Sequence, residues 1–429
     1  MSATYALHTD LYQLTMAAGY FAARKTQEVA TFELFVRKLP EGRKHLVAAG
    51  LAQVVEYLTN FCFTPEQIAY LRTVPQLANA SAEFFDYLAN VRFMGDLFAM
   101  QEGTPFLPGE PILTLRAPIV EAQLVETFIV ATCAFQSMIA TKAQLVVDAA
   151  GGKPVVEFGS RRAHSPEAAV LGARAAYIGG CVGSSNVEAG FRYGVPVFGT
   201  CAHSWVMSFA GERKSFEVLQ KLLGEQTIYL IDTYDTIEGA RTAASLGKPL
   251  WGVRLDSGDL IALSREVRKI LDEAGLTEAR VMASGDLDEQ KLRKILASGA
   301  PIDSFGVGTE LATSADAPNL GAVYKLVEVS VQGIQRFTAK TSEGKPTLPG
   351  AKQIFRAPDR DILARTAECG AYEPLLRPVM IGGDVVCEMP TAAEAREYCL
   401  SQAQRLSPEH YVKVSKELSM LRENWRPPR

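Results

Sequence analysis

Glu157-Phe158-Gly159-Ser160-Arg161-Arg162, Gly183-Ser184-Ser185-Asn186 and Gly199-Thr200-Cys201-Ala202-His203-Ser204 are three short polar clusters, each closing an apolar, strand-like run. The runs before them are Pro154–Phe158, Gly180–Val182 and Val197–Gly199. Four more follow at Ile228–Ile231, Trp251–Leu255, Arg280–Ala283 and Ser304–Val307. Helical periodicity fills the gaps over Pro166–Tyr177, Asn186–Tyr193, Thr236–Leu246, Ile261–Ala274 and Leu287–Ser298. Repeated strand–turn–helix units of this length predict an α/β protein with a parallel sheet or barrel. No GxGxxG fingerprint follows any of these strands, and so many strands in so short a stretch favour a compact (β/α) barrel over an open doubly wound sheet.

The flanks read differently. A helix is expected over Thr9–Ala22 with Asp10 as its cap, then a strand over Val29–Val36, a turn at Lys38–Lys44 and a helix over Leu46–Leu58. Leu97–Arg116 alternates apolar residues among Gly and Pro, which predicts a small β-structure, and Ala122–Ala150 is a long, weakly charged helix pattern. After Val323–Val329 come short strands and turns, then two helices, Thr391–Ala403 and Pro408–Arg422. The domain reading places residues 1–125 and 326–429 together as an α+β domain built from both chain ends, around a barrel of residues 126–325.

Composition narrows the class. The chain has 429 residues, 48% of them hydrophobic and 21% charged, with a net charge of −4. That charge gives no general attraction for nucleic acid or an anionic membrane, so an anion site must be local. No uninterrupted apolar run reaches the roughly 18 residues of a spanning helix, and Met1–Asp10 lacks the layout of a signal peptide. The seven cysteines are scattered singly without a CxxC pair, which argues against both a zinc knuckle and a disulfide framework. A reduced, cytoplasmic protein is expected.

In a (β/α) barrel the functional groups stand at the C-terminal ends of the strands. Here every predicted strand end is polar: Ser160, Arg161 and Arg162; Ser184, Ser185 and Asn186; Thr200 and His203; Asp232 and Thr233; Arg254, Asp256, Ser257 and Asp259; Gly285, Asp286 and Asp288; Gly306, Gly308, Thr309 and Glu310. Guanidinium forks at Arg161 or Arg162 match carboxylate or phosphate oxygens, although the pair also suits surface ion pairing to Glu157 or Glu167. Arg254 and Asp256 fit a pyrophosphate and ribose hydroxyls, or a salt-bridged turn capping the helix at Ile261. Ser284-Gly285-Asp286 and Gly306-Val307-Gly308-Thr309-Glu310 have the composition of backbone anion cradles. His203 is either a core histidine or a reactive imidazole able to accept a phosphoryl group. Tyr12 reads most simply as a core aromatic.

Taken in order and spacing, these clusters resemble the nicotinate phosphoribosyltransferase family. Thr9-Asp10-Leu11-Tyr12-Gln13, Arg37-Lys38-Leu39-Pro40, Val47–Leu51, Val253–Asp259, Phe305–Leu311 and Val323-Tyr324-Lys325-Leu326 carry the resemblance along with the three opening clusters. Glu41-Gly42-Arg43-Lys44-His45 departs from it, since the family often has a more glycine-rich loop there. The resemblance implies an irregular (β/α) barrel of type II phosphoribosyltransferase kind and a homodimer with interfacial active sites. It also implies transfer of ribose phosphate from phosphoribosyl pyrophosphate to nicotinate, with Mg2+ and ATP hydrolysed through a phosphohistidine at His203. By residue-wise match, Phe158 would stack on nicotinate, with Tyr12 of a neighbouring subunit on the other face. Arg161 would bind the ribose phosphate or the carboxylate, and Arg254 and Asp256 the pyrophosphate and ribose. Thr200 falls at the same mouth, and Gly285, Asp286, Gly308 and Thr309 would cradle the 5′-phosphate. Ser185 stands where the nicotinamide enzyme has an aspartate, so it favours the acid. No protein ligands to the metal are assigned. The alternatives are a nicotinamide or quinolinate phosphoribosyltransferase, a sugar-phosphate aldolase or isomerase using Lys325, and a non-catalytic binding protein.

Overall fold

Residues 5–342, 344–403, 406–407 and 409–427 are described by a computed structural model of the chain. They divide into two compact units, Met138–Pro318 with Thr391–Arg396, and Met1–Ser137 with Asn319–Pro390 and Glu397–Arg429. The divisions at 137/138 and 318/319 differ from the 125/126 and 325/326 of the sequence reading. Helix Glu126–Ala149 runs on through the first of them, so no turn residue marks it.

The first unit is built on six parallel strands: Val155–Glu157, Gly183–Ser184, Ile228–Leu230, Gly252–Leu255, Arg280–Ala283 and Ser304–Val307. The last strand returns to the first, pairing Phe305 with Val155 and Val307 with Glu157, so the strands follow one another in cyclic order with the ladder open between Gly183–Ser184 and Ile228–Leu230. The third strand of the sequence reading, Val197–Gly199, is reduced to one parallel bridge between Val197 and Ser184. The second lies at Gly183–Ser184 rather than Gly180–Val182, because Gly180 is still turning at φ +114. This is an irregular (β/α) barrel.

Helices Pro166–Ile178, Val187–Tyr193, Thr236–Leu246, Leu260–Glu273 and Glu289–Ala297 alternate with the strands. Each starts on a side-chain cap: Ser165, Asn186, Asp235, Asp259 and Asp288 accept from backbone N–H groups two or three residues on. Such caps satisfy donors that the first helical turn leaves open. The helices that were not expected include His203–Met207 and Glu212–Leu223. In the second, Ser215, Phe216 and Leu219 form a narrow buried stripe that the charges around it obscure.

In the other unit both chain ends share one sheet. Val29–Val36 lies between Ala322–Val331 and Pro111–Pro118, and Ile334–Phe337, Asp96–Ala99, Arg377–Ile381 and Asp384–Val385 complete seven strands. Glu373–Pro374, Lys352–Arg356, Arg360–Arg365 and Tyr411–Val414 form a second sheet. The expected helix Leu46–Leu58 begins only at Leu51. Gly50, at φ +103, turns the chain there, and Leu46–Val47 pairs with Pro105–Phe106 instead. The expected helix Pro408–Arg422 is a strand at Tyr411–Val414 and a helix at Lys416–Asn424, started by Ser415; Pro408 lies outside the described residues. Val412 and Val414, partly buried and alternating with the exposed Tyr411 and Lys413, suit a pleated strand better than a helix.

Helix Glu126–Ala149 is long and apolar enough to bear on the membrane reading. Its 24 residues and mean hydropathy of 1.2 meet the length and apolarity of a spanning segment, yet 67% of that window is buried inside the protein. Its Lys142 is buried against Glu289 at 2.7 Å and Asp316 at 2.9 Å. A buried lysine neutralised by two carboxylates fits a core helix.

Close helix–strand approach depends on Gly239, in helix Thr236–Leu246, where a Cβ would stand 2.1 Å from the Ile231 carbonyl oxygen. Helix propensity alone predicts that Gly239→Ala stabilises by about 1 kcal/mol. Overpacking of the backbone predicts the opposite sign, a loss of about 1–3 kcal/mol. Urea denaturation distinguishes them, and a gain in stability would contradict this packing.

Candidate active site

Phe158 leaves the first barrel strand with its N–H donating to the Val307 carbonyl at 2.8 Å. Its ring lies directly over Gly306, where a Cβ would fall 2.5 Å from the ring edge. The glycine on the neighbouring strand is therefore what gives the aromatic ring its place. The Arg254 guanidinium stands 5.8 Å from the ring centroid, within cation–π range.

Glu157, just before Phe158, is buried. It accepts from the Gly159 N–H and, at 2.5 Å, from the Ser184 hydroxyl, whose oxygen in turn accepts from the Asn186 N–H at 3.0 Å. Burial pushes the Glu157 carboxyl up, and the Ser184 and Gly159 donors oppose that. This carboxylate fixes the first two strand-end turns against each other. Asn186 extends the tie by donating to the Ser160 hydroxyl at 3.0 Å. Ser185 donates its backbone N–H to the Glu157 carbonyl at 3.0 Å and is only partly buried.

Arg254 joins the remaining turns. Its Nε donates to Ser284 Oγ at 2.8 Å, one terminal nitrogen to Thr200 Oγ1 at 2.6 Å, and the other to Asp256 Oδ1 at 2.7 Å. The Ser284 hydroxyl donates to the same Asp256 oxygen at 2.5 Å. Burial pushes the Asp256 carboxyl up, but the Ser284 and Arg254 hydrogen bonds and the Arg254 charge outweigh it, and its pKa is lowered. Asp256 is thus an anion throughout the physiological range. Asp232 holds the turn from beneath, its Oδ2 accepting from the Asp256 N–H and the Ser257 hydroxyl, both at 2.8 Å. The capping alternative applies to Asp259, which starts the helix at Leu260, and leaves Asp256 free of that task.

His203 is the first residue of a short helix. Its Nδ1 lies 3.2 Å from Thr233 Oγ1 and its Nε2 3.7 Å from Asp256 Oδ2, with the side chain 39% exposed. It is not a core histidine. Gly285 is held at φ +91 with its Cα against the Asp256 carbonyl, where a Cβ would come to 1.9 Å. Asp286 follows at φ +47, and its carbonyl accepts from Lys291 Nζ. Gly308 precedes the short helix Thr309–Ala312, whose four residues leave the backbone N–H groups, rather than a macrodipole, to meet an anion.

The barrel therefore brings Phe158, Thr200, His203, Arg254, Asp256 and Gly285 into one connected set of contacts. Arg161 and Arg162 are exposed on a single 3-10 turn, and neither side chain forms a hydrogen bond or ion pair among the described residues. The ion-pair alternative for them fails, because Glu167 is taken by Arg192 at 3.0 Å and Glu157 is buried elsewhere. Tyr12 belongs to the other unit. On helix Leu11–Ala22 its ring is 48% exposed rather than in the core, and partial burial together with Glu126 pushes its phenol up to about 12. Lys325 also belongs to that unit, on strand Ala322–Val331 opposite Glu33. It stands at no barrel strand end, so the Schiff-base alternative has no lysine there. Four supporting residues, Glu157, Asp232, Ser284 and Gly306, were visible in sequence as strand-end residues but not as the groups that hold the site together.

Family models agree with this geometry along most of the chain. The nicotinate phosphoribosyltransferase N-terminal domain matches residues 7–134, the family's main domain residues 154–348 and its C-terminal domain residues 341–416. The nicotinate phosphoribosyltransferase pncB2 of Mycobacterium tuberculosis is 45% identical over 416 residues, covering 94% of this chain and 88% of that protein. The crystal structure of human nicotinic acid phosphoribosyltransferase superposes with a TM-score of 0.83 at 29% identity, covering 97% of this chain and 99% of that one. A nicotinate-nucleotide pyrophosphorylase from Pyrococcus furiosus gives a TM-score of 0.76 at 28% identity over 94% and 96% of the two chains. The chain belongs to the nicotinate phosphoribosyltransferase family.

Proposed function

We propose that the chain joins nicotinate to the ribose phosphate of phosphoribosyl pyrophosphate, releasing pyrophosphate, in the synthesis of NAD. The carrying observation is the Arg254–Asp256–Ser284–Thr200 cluster beside the Phe158 ring. The nitrogen of nicotinate has a free lone pair and needs no base. Its bond to ribose C1 forms as the C–O bond to pyrophosphate breaks, and the electron pair leaves with pyrophosphate. The barrier is then one of charge, positive at C1 and negative on the leaving group, and fixed charges lower it most. Phe158 supplies the flat face for the pyridine ring, Arg254 meets the pyrophosphate, and Asp256 meets ribose hydroxyls and the developing cation. Arg161, exposed and unpaired, takes the nicotinate carboxylate or the ribose phosphate. The backbone at Gly285, Asp286, Gly308 and Thr309 receives the 5′-phosphate.

ATP coupling is part of this reading. With its proton on Nδ1 toward Thr233, His203 presents the Nε2 lone pair to the γ-phosphoryl of ATP; the N–P bond forms as ADP departs. Among the described residues no group of three His, Cys, Asp or Glu side chains is arranged to hold a metal ion. In this reading Mg2+ accompanies the phosphates of both substrates. A homodimer completes the site, with the exposed Tyr12 ring contributed by the second subunit. Val187 and Phe191, 72% and 86% exposed on helix Val187–Tyr193, offer an apolar surface for that association. The proposed setting is the cytoplasm.

Three outcomes test the reading. His203→Ala should fold normally and retain basal phosphoribosyl transfer, but form no acid-labile phosphoprotein from radiolabelled ATP and lose ATP stimulation; retained stimulation would sink the phosphohistidine. Arg254→Gln should lower kcat/KM by roughly 10²-fold or more, the scale for a positioned charge in a transition state. Ser185→Asp places a carboxylate near an anionic substrate and should shift the nicotinate-to-nicotinamide kcat/KM ratio at least about tenfold toward the amide. A wild-type preference for nicotinamide or quinolinate would replace the reading with its alternative.

A further inference from the structure

A cleft lies in the unit that carries the seven-stranded sheet, outside every residue assigned above. It has a volume of ≈ 320 Å³ and a polar floor. Register sets that floor: Thr31 pairs with Arg116 and Glu328, Glu33 with Thr114, and Phe98 with Thr114, so these side chains share one face.

An inventory of hydrogen-bonding capacity shows what the cleft lacks. Glu328 is spent, accepting from Thr31 at 3.0 Å, Gln335 at 2.9 Å and the Ala351 N–H at 3.2 Å. The Lys352 ammonium is spent on Glu33 at 2.8 Å and on the Leu348 and Gly350 carbonyls at 3.0 and 2.7 Å. The Gln353 amide is spent on Leu376 and Ile354, and one Asp96 oxygen on the Gly382 N–H. Apart from the second oxygen of Asp96, whose residue stands opposite Arg116 across the strands, what remains is of donor type. The Thr114 hydroxyl is buried without a partner. The Arg116 and Arg365 guanidiniums line the cleft and donate to no acceptor among the described residues. Glu417 feels the charge of Arg365 without pairing with it, and the Arg365 guanidinium lies 5.2 Å from the Phe337 ring centroid.

Unspent guanidinium forks and a buried hydroxyl call for an oxyanion, and the phenyl faces call for a flat ring. The volume is at the small end for ligand pockets, which limits the occupant to one ring and one charged group. We propose that this cleft binds a small single-ring aromatic oxyanion, a carboxylate or a phosphate ester, with its charge on Arg116, Arg365 and Thr114 and its ring against Phe337 and Phe98.

Titration calorimetry on the whole protein tests this with benzoate and phenyl phosphate, in the presence of excess nicotinate mononucleotide to fill the barrel site. At least one of the two should bind saturably with one site per chain, and which one identifies the preferred head group. Neutral benzamide should bind at least tenfold more weakly. Arg116→Gln, at an exposed position that leaves the fold intact, should weaken binding at least tenfold. Arg365→Gln should do the same, with partial rescue by Arg365→Lys. Turnover of nicotinate should be unchanged in Arg116→Gln, so the result is independent of the proposed activity. Absence of saturable binding by both probes, equal binding of benzamide, or an affinity unaltered by Arg116→Gln would each overturn the site.

Discussion

Arg254 is the residue on which the barrel mouth depends. A guanidinium only 14% exposed must find acceptors for its donors, and here they come from three separate turns: Thr200, Ser284 and Asp256. Each partner is correspondingly committed. Asp256 is half-withdrawn from water, and Ser284 and Arg254 nevertheless hold its carboxyl below the ordinary carboxylate range. Removing the arginine would leave a carboxylate without its counter-charge in a place of reduced solvation, a larger loss than the hydrogen bonds alone. Lysine would not replace it, because one ammonium cannot reproduce a planar fork that reaches three directions.

Small residues decide where the larger ones stand. Gly306 makes room for the Phe158 ring, and Gly285 lets its turn press against the Asp256 carbonyl. In both cases the glycine is required by a neighbour on the next strand, so its meaning is tertiary. Glu157 acts in the same way with a charge in place of a gap, spanning from Gly159 to Ser184. Packing and polar satisfaction therefore make the site as much as the residues that face the ligand.

This explains what the sequence disclosed and what it hid. Strands such as Val29–Val36 and Arg280–Ala283 were legible to the residue, because apolar runs between turn signals have one reading. The polar strand ends were legible too, since a barrel places them at one mouth whatever their partners. The supporting roles of Asp232, Ser284 and Gly306 were not, because each is defined by a residue more than 20 positions away or on another strand. Gly50 misled for a related reason: a helix-like apolar pattern ran through it, and only a left-handed turn divides that pattern into a strand and a helix.

The least regular part of the barrel is also the part that carries His203. A regular strand alternates its side chains, so Thr200 and His203, three positions apart, would point to opposite faces. The chain avoids this by pairing at one bridge only, Val197 with Ser184, and by entering a helix at His203. Released from the ladder, Thr200 reaches Arg254 while His203 reaches Thr233 and stands beside Asp256. One carboxylate is thereby shared between the arginine and the imidazole. Any change of charge at His203 is felt at Asp256 and, through it, at Arg254, so the barrel's missing strand is the structural condition for linking the imidazole to the arginine through one carboxylate.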